Sequence, residues 1–80
     1  MTQFYVKIST IKDVREFIAT VSAAENDMEL TSGRYVVDAK SIMGIFSLDL
    51  LQPVLLTVHG DLSEATMNAL SVFKVDAPAQ

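Results

Sequence analysis

Lys40-Ser41-Ile42-Met43-Gly44-Ile45-Phe46-Ser47-Leu48 is the stretch that decides how this chain folds. From Ser41 to Ser47 it is short and apolar, with Gly44 inside it. Its apolar content alone suits either a strand or a short helix. Ser41 favours the helix. A hydroxyl residue at the head of such a run can accept a hydrogen bond from a backbone N–H of the first turn. If Ile45 and Leu48 take the inner positions, a helix this short leaves Ile42, Met43 and Phe46 partly exposed. The ordinary fate of such side chains is the core.

The flanks are extended. Upstream, Met28 to Thr31 and Arg34 to Ala39 read as two strands, with Ser32-Gly33 as a two-residue hairpin turn in which glycine supplies positive φ. Downstream, Pro53 closes a loop, and Val54 to Val58 is a strand of branched apolar residues ended by Gly60-Asp61. Asp61 is then expected to cap a last helix, with Glu64 following and Leu62, Ala65, Ala69, Leu70 and Phe73 as its inner stripe. The tail, Asp76-Ala77-Pro78-Ala79-Gln80, is expected to fray.

At the other end, Phe4, Val6 and Ile8 alternate with Tyr5, Lys7 and Ser9, a half-buried strand. The period then changes. Ile11, Val14, Phe17, Ile18 and Val21 recur at helical spacing, and Lys12, Asp13, Arg15 and Glu16 take the other face. Thr10 is the expected N-cap, answered by Asp13 in a capping box, and Glu25-Asn26-Asp27 ends the helix. The order is βαββαβα. Its tight hairpin makes at least one pair antiparallel, so the expected class is α+β, with helices on one face of a small sheet.

Eighty residues make a single domain, 1–80, and half of them are apolar, enough to fold. There is no cysteine, so neither a disulfide nor a thiolate metal site is available. The net charge is −4, and the six basic residues are scattered, which argues against nucleic acid as a direct partner. No apolar run is long enough to span a bilayer, and the N-terminus lacks the features of a signal peptide. A soluble cytoplasmic protein is expected. Nothing marks a nucleophile elbow, a phosphate loop, a cofactor site or a metal site, so no enzyme activity is expected. His59, the sole histidine, reads as a surface or structural residue.

The Lys40–Leu48 run resembles the segment of the HPr phosphocarrier family around the serine that a dedicated kinase phosphorylates. Asn68-Ala69-Leu70 falls where the family's last helix carries similar residues, and the likeness spans roughly residues 3 to 75. The resemblance implies an open-faced sandwich: a four-stranded antiparallel sheet with three helices on one face. It implies a role in the sugar phosphotransferase system or its regulation. It also marks Ser41 as a regulatory phosphorylation site, with Lys40, Ile42, Met43 and Phe46 as a partner-binding surface. The implied partners are proteins: an HPr-type serine kinase, a transcriptional regulator or phosphotransferase enzymes.

One departure matters. In the family a histidine that carries phosphate begins the first helix, followed by an arginine and a proline. Here Thr10 falls at the histidine's place and Lys12 near the arginine's; no proline follows, and the loop is shorter. Phosphoryl relay needs an imidazole that attacks when neutral and leaves well afterwards. A threonine ester does not pass its phosphate on in that way. The expectation is therefore a regulatory protein resembling the catabolite-repression members that lack the histidine. Its rivals are a phosphocarrier with a non-standard acceptor and an unphosphorylated scaffold or decoy.

Overall fold

The computed structural model describes residues 1–78. Five strands and three helices follow in the order β1 (Thr2–Val6), α1 (Ile11–Ser22), β2 (Met28–Ser32), β3 (Tyr35–Asp38), α2 (Ile42–Phe46), β4 (Val54–Val58), α3 (Glu64–Leu70) and β5 (Lys74–Val75). The sheet order is β3-β2-β4-β1-β5, and every pair is antiparallel. No helix among the described residues is long and apolar enough to cross a membrane.

One parity of strand residues makes the core. Phe4, Val6, Met28, Leu30, Val54, Leu56 and Val58 are buried on the same face. Val14, Phe17 and Val21 of α1, Ile45 of α2 and Leu70 of α3 join them. The opposite face carries Tyr5, Glu29, Thr31 and Leu55, all half-buried. Thr57 is the buried exception there, and its hydroxyl accepts from Gln3 Nε2 at 3.1 Å. An antiparallel sheet with one dry face alternates in this manner.

The α1 terminus forms as its sequence implies. Asp13 N donates to Thr10 Oγ1 at 3.0 Å, and Thr10 N donates back to Asp13 Oδ2 at 3.4 Å. Ile11 departs from the expected stripe. It sits on the first turn and is exposed, while Val14, Phe17 and Val21 face the sheet. The helix ends at Ser22, before Glu25-Asn26-Asp27, with Ala23 as its C-cap. Asn26 instead latches two loops. Its Nδ2 donates to His59 O at 2.9 Å and to Asp61 O at 2.8 Å.

The hairpin turn lies one residue later than expected. Ser32 pairs with Tyr35, so Gly33-Arg34 is the loop. Gly33 has φ +59° and Arg34 a negative φ. Glycine first, with positive φ there alone, is the pattern of a type II′ turn, whose twist suits flanking strands.

The last helix is capped by Ser63, not Asp61. Ser63 Oγ accepts from Thr66 N at 3.2 Å. Asp61 is held in the loop by Asn26, and this delays the helix start. The stripe shifts accordingly: Met67 and Leu70 turn inward, while Ala65 and Ala69 are exposed. After α3 the chain returns as β5, a two-residue strand on β1, so the sheet has five strands and not four. Lys7 N donates to Phe73 O at 2.9 Å, and the Phe73 ring meets Phe17 edge-on at 5.5 Å. Of the tail expected to fray, Asp76–Pro78 is exposed and without regular structure, and residues 79–80 lie outside the described residues.

Phe17 is fully buried where α1, α3 and the sheet meet. Truncating Phe17→Ala should cost about 3–5 kcal/mol, whereas Ile11→Ala should stay within about 0.5 kcal/mol. Urea unfolding of the two variants measures both, and similar losses would contradict this packing.

Candidate functional site

Asp38 begins the turn that leads into α2. Its Oδ1 accepts from Lys40 N at 2.9 Å, and its carbonyl accepts from Ser41 N at 3.0 Å. These bonds bring the chain from β3 to the head of α2 in two residues. Ser41 has extended backbone, and its Oγ accepts from Gly44 N at 3.1 Å. At the other end, Ser47 Oγ donates to Gly44 O at 2.6 Å. Two serine hydroxyls thus bracket a helix of five residues.

Gly44 is required by a close approach. A Cβ built there would stand 3.1 Å from Val37 Cβ on β3 and 3.4 Å from Ser41 Oγ. The helix therefore lies tightly on β3. Ile45 is fully buried and Leu48 nearly so. With one side committed to the core, the other apolar residues face out: Ile42 is 46 % exposed, Met43 79 % and Phe46 48 %. Leu51, in the loop after α2, is 76 % exposed and adds an apolar residue that pattern reading missed. Its only signal was its place just before Gln52-Pro53, where no regular element runs. The loop itself is pinned, since Lys7 Nζ donates to Leu51 O at 2.9 Å.

Lys40 is held by the fold. Its Nζ donates to Ala24 O at 2.8 Å, just past the C-terminal end of α1, where a cation is favoured. It ties the α2 entry to the first helix.

Thr10 and His59 are far apart in the sheet. Thr2 pairs with Val58 and Val6 with Val54. His59 follows Val58 at one end, and Thr10 follows Val6 at the other. Four strand steps of about 3.3 Å separate those ends, roughly 13 Å. His59 therefore cannot stand at the head of α1. Its Nε2 lies 2.6 Å from Glu29 Oε1 across β2 and β4, a cross-strand surface contact. The Thr10 hydroxyl serves the α1 cap. No group of three or more metal-ligating side chains gathers among the described residues.

No family model matches the sequence, and neither does any curated protein. Solved structures do. The chain is similar to HPr-C-His from Thermoanaerobacter tengcongensis, with 29 % identity and a TM-score of 0.75. That likeness covers 90 % of this chain and 89 % of the other. It also has the fold of a phosphocarrier protein HPr from Bacillus anthracis strain Ames, with 24 % identity and a TM-score of 0.70 over 92 % of this chain and 96 % of that one.

The Ser41 cap has a measurable worth. Ser41→Ala should lower stability by about 1 kcal/mol, while Ser41→Asn, which keeps a capping acceptor, should lose only a few tenths. Denaturant midpoints of the two variants distinguish a cap from a bystander. Equal midpoints would contradict the capping role.

Proposed function

Because the chain is HPr-like, we propose that it is a non-enzymatic regulatory protein of the sugar phosphotransferase system, switched by phosphorylation of Ser41. It docks protein partners through Ile42, Met43 and Phe46. The observation that carries this reading is the exposure of those three apolar side chains on the helix that Ser41 caps. Exposed methionine and aromatic side chains suit docking, by adaptability and by contact area.

The chemistry of the switch is local. A phosphate on Ser41 brings a charge of about −1.5 to −2 to the edge of an apolar surface. The amides of Ile42 and Met43, in the first turn of α2, have no acceptor within the helix and can meet the phosphate oxygens. Asp38, one turn upstream, repels it. The modification therefore changes what the surface accepts without requiring α2 to unfold. Lys40 borders this surface. Its ammonium bonds Ala24 O and keeps two further donors for a partner carboxylate or for the phosphate. The fitting partners are an HPr-type serine kinase and a transcriptional regulator of carbon catabolite control, in a cytoplasmic setting. The chain itself contacts neither nucleic acid nor membrane in this reading.

The rival is phosphocarrier activity, which the structural likeness to HPr proteins favours. Against it stands the head of α1, where Thr10 offers only a capping hydroxyl and His59 lies at the other end of the sheet. Incubation with phosphoenolpyruvate and the first enzyme of the system separates the two readings. An acid-labile phosphate on this chain would establish the carrier.

The regulatory reading is tested with an HPr serine kinase and ATP. The expected result is one acid-stable phosphate, absent from Ser41→Asn. A chain left unmodified under conditions that phosphorylate an HPr protein would overturn it. Met43→Asp in the phosphorylated protein should weaken binding to the regulator at least about tenfold while stability stays within about 0.5 kcal/mol. Calorimetric titration and urea unfolding read these two quantities.

A further inference from the structure

The face of the sheet turned away from the helices carries one row of mostly apolar residues. Register places it: Val36 stands opposite Thr31, Thr31 opposite Leu55, Leu55 opposite Tyr5, and Tyr5 opposite Val75. Alternation turns these side chains away from Leu30, Leu56 and Phe4, which are in the core. The row crosses all five strands. Its four gaps of about 4.8 Å make it roughly 19 Å long. Val36 is 56 % exposed and Val75 37 %, so both ends are open, while Thr31, Leu55 and Tyr5 are half-buried among their neighbours.

At its Val36 end the row runs into a hollow of about 290 Å³ at β2 and β3. Val36 itself, Asp27, Glu29, Asp38 and Lys40 are among its walls. Glu29 and Asp38 stand directly opposite each other on the two strands. Like charges so placed weaken a sheet, and a cation between them relieves that cost. Lys40 does not fill the role, because its ammonium donates to Ala24 O. Asp38 uses Oδ1 on Lys40 N and leaves Oδ2, and Asp27 makes no ion pair among the described residues. Glu29 Oε1 lies on His59 Nε2 and its other oxygen is left. The row is therefore apolar along its length and anionic at one end.

We propose that this face docks an extended segment of a partner protein, apolar along its length and ending in lysine or arginine. The apolar side chains lie along the Val36–Val75 row, and the cation enters the hollow beside Glu29 and Asp38. About six extended residues, at roughly 3.3 Å each, cross the row. Charge selects this occupant. The same carboxylates repel a phosphate-bearing surface, and a second copy, itself at −4, brings more of them. The face lies on the other side of the sheet from the α2 surface and does not involve Ser41, so it stands or falls separately from the regulatory reading.

The probe is a capped peptide of alternating leucine and serine that ends in two arginines, titrated into the full chain and followed by amide chemical shifts. Saturable shifts are expected at Tyr5, Thr31, Val36, Leu55 and Val75. The same peptide ending in two glutamates should bind at least about tenfold more weakly. Val36→Lys should raise the dissociation constant at least about tenfold, since it fills the junction of row and hollow with a like charge. Asp27→Asn with Glu29→Gln should raise it about fivefold and flatten its salt dependence. Asp38 is kept because it holds the turn into α2. Met43→Asp should leave binding within about twofold of the parent. Circular dichroism and thermal unfolding establish that each variant is folded. Equal binding of the glutamate peptide overturns the proposal, and so do shifts confined to Ile42, Met43 and Phe46, or affinity that Val36→Lys leaves unchanged. Absence of saturable shifts at millimolar peptide overturns it as well. So does movement of the same signals when the protein alone is concentrated, which would assign the face to a second copy.

Discussion

Val54, Leu56 and Val58 lie in β4 with β1 on one side and β2 on the other, and all three are buried. The strand has no free edge. Each of its neighbours is fixed to it residue by residue: Thr2 to Val58 on one side, Met28 to Val58 on the other. A one-residue slip in either register would turn a whole apolar set out to water. That penalty holds the sheet in place. Everything else is arranged around it, with β3 hung on β2, β5 on β1 and the helices laid across the dry face.

The same burial explains why an apolar surface remains exposed. The dry face must be covered along its length, and α1 covers much of it with Val14, Phe17 and Val21. The region over β3 is left to a helix of five residues, held close by Gly44 against Val37. So short a helix presents one full side to the core and has no polar sequence for the other. Ile45 goes in, and Ile42, Met43 and Phe46 stay out. Ser41 sits at the same junction because the helix needs a cap where the chain leaves β3. Support of the fold and the proposed switch thus share one hydroxyl, so the capping and signalling roles of Ser41 need different substitutions to separate them.

The head of α1 carries the opposite lesson. There the fold is like that of the HPr structures, and the local chemistry is that of a helix cap. Thr10 and Asp13 cap the helix well, yet a capping hydroxyl is not an imidazole. The lone histidine is committed to a surface contact with Glu29 at the far end of the strand pair. The scaffold does not depend on which residue stands there, because its stability comes from buried apolar parity, which a residue at an exposed helix start does not touch.

Much was legible in the sequence because it rests on neighbours in the chain. Alternation marked β1, helical spacing marked α1, the Thr10–Asp13 box set its start, and Ser41 at the head of an apolar run set α2. Those are local hydrogen bonds and local periodicities, and the residues involved are at most a few positions apart. The tertiary structure alone decided the rest. It moved the hairpin turn to Gly33-Arg34 through the register of β2 on β3, and it shifted the α3 cap from Asp61 to Ser63 because Asn26 holds the Asp61 carbonyl. It added β5 through Lys7 and Phe73, exposed Ile11, and tied Lys40 to Ala24. Each of these depends on a partner brought close by folding. For the Lys40–Leu48 run, the sequence determined that Ser41 starts a short apolar helix. It also named Ile42, Met43 and Phe46 as the side left exposed if Ile45 and Leu48 face in; only packing against β3 decided that they do, because burial belongs to the pair of surfaces and not to either segment alone.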